Sequence, residues 1–243
     1  MTKRIVVIPT YNEIENIGSM LDTVMSLPVG ADVLVVDDNS PDGTASVVKQ
    51  KADEYSGRIH LLQRKKKDGL GRAYVAGFTW CLDEGYEQIA EMDADFSHNP
   101  VDLQELFKTL DNGADVAVGS RYKTGVNVVN WGIKRVIMSY YASRYVKLIT
   151  GLPINDATAG FVAYKRKVLE AINLKKIKFK GYAFQIEMKY KAWRKGFRIE
   201  EVSIIFTDRK RGQSKMSMGI FKEAFFGVIE LRWKAMMGNK EFK

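Results

Sequence analysis

Short apolar runs that end in polar clusters recur along this chain, and between them apolar residues return at helical spacing. Arg4-Ile-Val-Val-Ile8 reads as a buried strand running into the polar turn Pro9-Thr-Tyr-Asn-Glu13. Pro9 is expected to end the ladder, because it has no N–H to donate. Ile17, Leu21, Val24 and Met25 then predict a helix over 16–25. Asp32-Val-Leu-Val-Val-Asp37 is a second buried strand, and Asp42 or Thr44 caps the helix after it. Strand, helix and strand in this order imply parallel pairing through a right-handed crossover. Further strands are expected at 59–62, 89–92 and from 114, with helices over 73–82 and 101–110 between them. The pattern predicts an α/β fold with a mainly parallel central sheet flanked by helices.

The second half is less regular. The stretch 130–150 is helical by composition, with Arg135 and Ser139 four apart on one face. Its wheel is poor, since Lys134, Arg135, Arg144 and Lys147 are spread among tyrosines and aliphatics. A turn at Asp156 enters another strand towards Tyr164, short helices follow over 167–172 and 182–194, and 197–206 reads as one final strand. A basic loop, Thr207 to Lys215, leads to a helix over 217–237. On that helix Phe225, Val228, Ile229, Leu231, Trp233 and Met236 belong to a very broad apolar arc. Such a helix either docks on protein or lies in a membrane interface.

Composition narrows the class. At 243 residues, 46% hydrophobic and 28% charged, the chain can bury a substantial core. No linker or repeat divides it, so a catalytic domain over 1–215 with an amphipathic C-terminal helix and tail over 216–243 is expected. The single cysteine, Cys81, excludes an internal disulfide and a multi-thiolate zinc site and is expected to fill core. No signal-peptide pattern opens the chain, and no apolar run approaches the roughly 20 residues that span a bilayer, so an intracellular protein not integral to a membrane is expected. The net charge of +9 favours an anionic partner. The basic residues are scattered and no nucleic-acid-binding motif is present, so nucleic acid is not that partner.

The densest chemistry is Asp93-Ala-Asp95, at the end of the apolar run Ile89 to Met92. In an open α/β sheet the carboxyl ends of strands are where ligands bind. Two carboxylates one residue apart repel unless a cation joins them, and hard Mg²⁺ or Mn²⁺ suits carboxylate, water and phosphate oxygens. A metal-bridged diphosphate site follows. Tyr11 and Glu13, Asp37 and Asp38, and Arg121 stand at other strand ends, and such convergence makes a site more credible than any one of them. The loop Arg64 to Arg72, basic and carrying Gly69 and Gly71 before a helix, suits phosphate. It is not a Walker loop, and no Gly-x-Gly-x-x-Gly follows the first strand.

Laid out in order, these blocks resemble the family-2 glycosyltransferases of GT-A fold, and within them the dolichol-phosphate (polyprenyl-phosphate) mannose synthases. The resemblance rests on 7–13, 36–44, Gly69-Leu-Gly71, Met92 to Pro100, Gly119-Ser-Arg-Tyr122, 160–164, Gly181 to Glu187, Asp208-Arg209 and Gly212 to Lys215. It implies one Rossmann-like GT-A domain. It implies that Pro9, Tyr11, Glu13 and Asp38, with Asp93 and Ala94, hold the nucleotide sugar, and that Asp93 and Asp95, joined by Ser97, hold Mg²⁺ or Mn²⁺. Arg121, Arg135, Ser139, Arg209 and Lys215 would receive the acceptor phosphate, with Asp95 and Arg121 as the catalytic residues. The implied reaction is inverting transfer of mannose from GDP-mannose to dolichyl or polyprenyl phosphate. An ionised lipid phosphate needs no strong general base, which fits a chain with only two histidines, His60 and His98. A UDP-glucose donor with the same acceptor, or a saccharide acceptor, stays open. The implied setting is cytoplasmic and peripheral to the inner face of a membrane, with the membrane surface and a small membrane-protein partner as associates.

Overall fold

The computed structural model describes residues 2–181, 183–208 and 218–242. Strands β1 (Arg4–Thr10), β2 (Asp32–Asp37) and β3 (Ile59–Gln63) alternate with helices α1 (Ile14–Ser26) and α2 (Thr44–Glu54). Helix α3 (Leu70–Asp83) leads to β4 (Gln88–Glu91), and α4 (Leu103–Asp111) to β5 (Val116–Ser120). Then come β6 (Val128–Val129), α5 (Ile133–Thr150), β7 (Val162–Lys165), α6 (Arg166–Ala171) and α7 (Ala183–Arg194). Strands β8 (Ile199–Ser203) and β9 (Phe206–Thr207) precede α8 (Met218–Met236).

The main sheet has seven strands in the order β3-β2-β1-β4-β7-β5-β8. All pairings are parallel except those of β7, which runs antiparallel between β4 and β5. Both faces are covered. Alternation along β1 sends Ile5 and Val7 into a core shared with α3, α5, α7 and α8, and Val6 and Ile8 into a core shared with α1, α2 and α4. Each such fully buried side chain contributes about 1.5–3 kcal/mol relative to exposure. Cys81 is buried and free, as core filler. Chain order reverses between β1 and β4, so the crevice beyond their carboxyl ends is a topological switch point.

Two expectations from the sequence are corrected. Pro9 does not end the ladder: β1 continues to Thr10, and Pro9 stands opposite Val36. Val7 O accepts from Met92 N on the β4 side and Thr10 O from Asp38 N on the β2 side. By alternation the proline nitrogen faces β4, whose pairing stops at Glu91, so no ladder bond is lost. The single strand expected over 197–206 is two strands. Strand β8 stops where its partner β5 stops, at Ser120 opposite Ser203, and β9 leaves to pair with β6. Asp42, one of the two expected caps, serves two helices: Oδ1 accepts from Thr44 N and Oδ2 from Ile14 N.

Candidate active site

At the end of β4 the chain turns sharply, with Phe96 in the left-handed region at φ 59°. That turn folds Ser97 back so that its N–H and Oγ–H both donate to Asp95 Oδ1, at 3.0 and 2.5 Å. Asp93 N donates to His98 Nδ1 at 3.2 Å, which places the imidazole proton on Nε2. The His98 ring stacks on Phe161 at 4.9 Å and meets the edge of Phe206 at 5.3 Å. Burial pushes the His98 pKa down to about 4, against the pull of Asp95, so the ring is a neutral brace for the acidic turn. Asp93 and Asp95 face a common cavity with Ser97. Among the described residues no cluster of three or more acidic, histidine or cysteine ligands exists. Two carboxylates and one hydroxyl fit a hard cation that draws its remaining ligands from phosphate and water, as Mg²⁺ does.

Behind this turn lies a buried polar layer. The Tyr164 hydroxyl donates to Glu91 Oε1 at 3.2 Å, and Lys189 Nζ donates to Ala159 O at 2.7 Å. Burial raises the Glu91 pKa to about 8, against Lys189. Burial lowers that of Lys189 to about 8, against Glu91.

On the other side of the switch point stand the residues expected to hold the nucleoside. Asp37 is consumed locally, accepting from Thr10 Oγ1 at 2.9 Å and from Ser40 Oγ at 2.6 Å. Asp38 accepts from Arg64 Nη1 at 2.6 Å; burial raises its pKa, with Arg64 opposing. Lys67 Nζ lies 4.2 Å from the centre of the Tyr11 ring, a cation–π contact. Glu13 caps the start of α1 and accepts from Asn16 Nδ2 at 3.1 Å. The basic loop therefore does close over Tyr11 and Asp38. Gly71 is required by packing: its N donates to Lys180 O at 2.9 Å, and a Cβ there would meet Phe179 O at 2.8 Å.

Arg121, delivered by β5, is buried and bound in a fork to Asp156, with Nε and Nη2 donating at 2.7 and 2.6 Å. Nη2 also donates to Thr158 Oγ1 at 2.8 Å. Asp156 is fully buried; burial raises its pKa, and Arg121 more than reverses this, leaving it below the usual range. Arg135 pairs with Asp208 at 2.9 Å and lies 4.0 Å over Trp131. Ser139 sits one turn beyond it on α5.

One cavity of about 610 Å³ unites much of this. Its lining includes Asp93, Asp95 and Ser97, and also Arg121, Arg135 and Ser139. The same lining includes Tyr141, Ala142, Tyr145 and Val146 of α5 and Phe225, Phe226 and Val228 of α8. Pro9, Tyr11, Glu13, Asp38 and Ala94 are not in its lining; Pro9, Tyr11, Glu13 and Asp38 lie across the switch point, and Ala94 stands between Asp93 and Asp95 after β4. Arg209 and Lys215 lie outside the described residues. Sequence reasoning missed Asp156 and His98 as braces and Gln185 in the lining. Thirty-five positions separate Asp156 from Arg121, and no periodicity links them.

The family model described as Glycosyl transferase family 2 matches residues 5–172. A polyprenol monophosphomannose synthase of Mycolicibacterium smegmatis is 45% identical over 228 residues, spanning 94% of this chain and 86% of the relative. An undecaprenyl-phosphate mannosyltransferase of Micrococcus luteus is 44% identical over 234 residues, spanning 95% of this chain and 96% of the relative. Among solved structures, glucosyl-3-phosphoglycerate synthase of Mycobacterium tuberculosis in complex with Mn²⁺, UDP and glucosyl-3-phosphoglycerate superposes with a TM-score of 0.66 at 15% identity, covering 98% of this chain and 80% of that one. The same enzyme with Mg²⁺ and UDP gives 0.67 at 15% identity, over the same shares. These two show the shared fold alone.

Proposed function

We propose that this chain, which belongs to glycosyltransferase family 2 and is a glycosyltransferase of GT-A fold, transfers mannose from GDP-mannose to a polyprenyl phosphate with inversion at the sugar C1. The observation that carries the reading is the cavity itself. It runs from a carboxylate pair past two arginines into an aromatic and aliphatic channel between α5 and α8. A phosphate on a long apolar tail matches that gradient from end to end. The names of the two relatives point to the same acceptor and sugar.

Asp93 and Asp95, with Ser97, would hold a divalent cation, Mg²⁺ or Mn²⁺, on the donor diphosphate. Such an ion, when bound, stabilises the charge that develops on the leaving group. The chain's own residues do the rest. Asp156 fixes the Arg121 guanidinium plane, and Arg135 and Ser139 on α5 flank it, so the acceptor phosphate is oriented towards the donor. An acceptor phosphate oxygen bonds to C1 as the C1–O bond to the diphosphate breaks, and the bonding pair leaves with GDP. No base is required, because a phosphate monoester is largely ionised at neutral pH. The cavity fits this economy. Its acids among the described residues are Asp93, Asp95 and Asp208, the last paired with Arg135, and its histidine is held neutral against Asp93 N. A saccharide acceptor would need a carboxylate base, whereas on this reading Asp93 and Asp95 are taken up by the cation and Asp208 by Arg135. Pro9, Tyr11, Glu13 and Asp38 would take the nucleoside across the switch point.

Among the described residues no helix is long and apolar enough to cross a membrane. The acceptor's tail nonetheless brings the enzyme to a membrane surface, at the open end of the α5–α8 channel. The test is transfer of labelled sugar from GDP-mannose or UDP-glucose to a short-chain polyprenyl phosphate in detergent. Lipid-linked mannose is expected. Lipid-linked glucose would change the donor, and transfer only in the presence of native membranes would assign a membrane-protein partner.

A further inference from the structure

The outer side of α5 carries a second groove, of about 350 Å³, which the reaction does not use. It lies between α5 and the loop after β5, and its walls include Tyr122, Val126, Ile137, Tyr140, Tyr141 and Arg144. We propose that this groove seats the headgroup phosphate of an anionic phospholipid in the bilayer that the enzyme docks on, with Arg144 as the phosphate ligand.

Three observations lead there. The first is the stripe Ile133, Ile137, Tyr141, Arg144, Leu148, spaced 4, 4, 3 and 4 and hence on one face of α5. Its apolar members are exposed by 71%, 49%, 65% and 82%. A row of large apolar side chains this open is costly in water and matches an interface helix that meets lipid. The second is charge. The 18 residues of α5 contain Lys134, Arg135, Arg144 and Lys147 and no aspartate or glutamate. Arg121 and Arg135 are compensated by carboxylates, Asp156 and Asp208. Arg144 Nε and Nη2 donate instead to a neutral phenol, Tyr140 Oη, at 3.1 and 2.7 Å. Its guanidinium is thus held at the groove with its charge intact, and it has no ion pair among the described residues. The third is continuity. Tyr141 lines both this groove and the large cavity, so a headgroup here would sit beside the entrance for the acceptor.

The inference rests on reading the larger cavity as a lipid-phosphate site, because that reading brings a bilayer to this face. A bilayer supplies both partners the stripe lacks, acyl chains for the aliphatics and phosphate for Arg144.

Sedimentation of the full chain with phosphatidylcholine vesicles, with and without phosphatidylglycerol, tests it. The wild type should bind the anionic vesicles more strongly. Arg144→Gln should weaken that binding about fivefold, the contribution of one well-placed basic residue at a membrane surface, and should weaken binding to neutral vesicles, whose phosphate is offset by choline, clearly less. Lys49→Gln, on α2 beside the opposite edge of the sheet, should change neither. Ile137→Ser should weaken binding to both kinds of vesicle. Equal losses for Arg144→Gln and Lys49→Gln would reduce the effect to net charge and overturn the seat, as would wild-type protein that ignores vesicles. All three variants should transfer sugar to the short-chain acceptor in detergent at the wild-type rate. If the wild type fails that transfer while its vesicle binding behaves as described, the seat stands and the proposed reaction falls.

Discussion

Around Asp93 and Asp95 the polar groups are fixed by short bonds to their own turn, with His98 and Phe161 packed behind. Later in the chain, α5 and α8 line the same cavity with side chains that stand half in solvent, Tyr141, Phe225 and Phe226 among them. The carboxylate end is pre-organised, as suits electrostatic stabilisation of a leaving group, which loses its value if the groups must reorganise. The apolar end is open and adaptable, as suits a flexible hydrocarbon chain that needs burial more than direction. On the proposed reaction the two ends divide the work: charge and geometry at one, affinity and membrane contact at the other.

Substitutions can break that division. The largest effect is expected from Asp95→Asn, which keeps the acceptor for Ser97 and removes the charge. Turnover should fall about 100- to 1,000-fold, the size seen when one electrostatic contributor to a transition state is lost. Thermal unfolding should be little changed, and a variant with near-normal turnover would dissolve the distinction between the ends. Arg135→Ala should raise the acceptor KM by about 10- to 100-fold, the value of a charged hydrogen bond, while donor affinity holds. Loss of donor binding instead would move Arg135 to the other function. Phe226→Ala should weaken a long polyprenyl phosphate by about 10-fold and a short one far less, read from paired KM values.

Stability offers a finer contrast. Asp156→Asn leaves Arg121 buried against a neutral amide, and unfolding free energy should drop by about 3 kcal/mol in urea denaturation. A pH dependence comes from the layer behind Asp93. Between 4.5 and about 8, Glu91 is protonated when folded and ionised when unfolded, so stability falls as pH rises. Between about 8 and 10.5, Lys189 is neutral when folded and charged when unfolded, so stability rises. A stability minimum near pH 8 follows, read from urea denaturation across pH, and Glu91→Gln should flatten its acid side.

The same contrast decides what could be read in advance. Strands β1, β2 and β4 announce themselves as apolar runs ending in acids, because both faces of a parallel strand are buried and its carboxyl end is not. The Asp93 and Asp95 pair, Asp38 and Arg121 follow from those strand ends. Helices α5 and α8 resisted the wheel for a physical reason: each is apolar towards the core and again towards the outside. On α8, Val228 and Leu231 are buried while Phe226 and Trp233 are exposed by 66% and 62%. A helix with two apolar faces has no single moment to detect. Asp156, His98 and Gln185 escaped because their roles depend on contacts across the fold, such as the Asp156 fork on Arg121, which local spacing does not encode. The split of β8 from β9 escaped because the limit is set by the length of β5, a partner and not a neighbour in sequence.

The most direct test of the central claim is single-turnover transfer from GDP-mannose to a short polyprenyl phosphate, with Mg²⁺ or Mn²⁺ and again with EDTA, against the matching polyprenyl alcohol. Metal-dependent, β-linked mannosyl phosphate lipid is expected, with no product from the alcohol, because the proposed reaction relies on an acceptor that is already ionised. Transfer to the alcohol at a comparable rate, or undiminished transfer in EDTA, would contradict it.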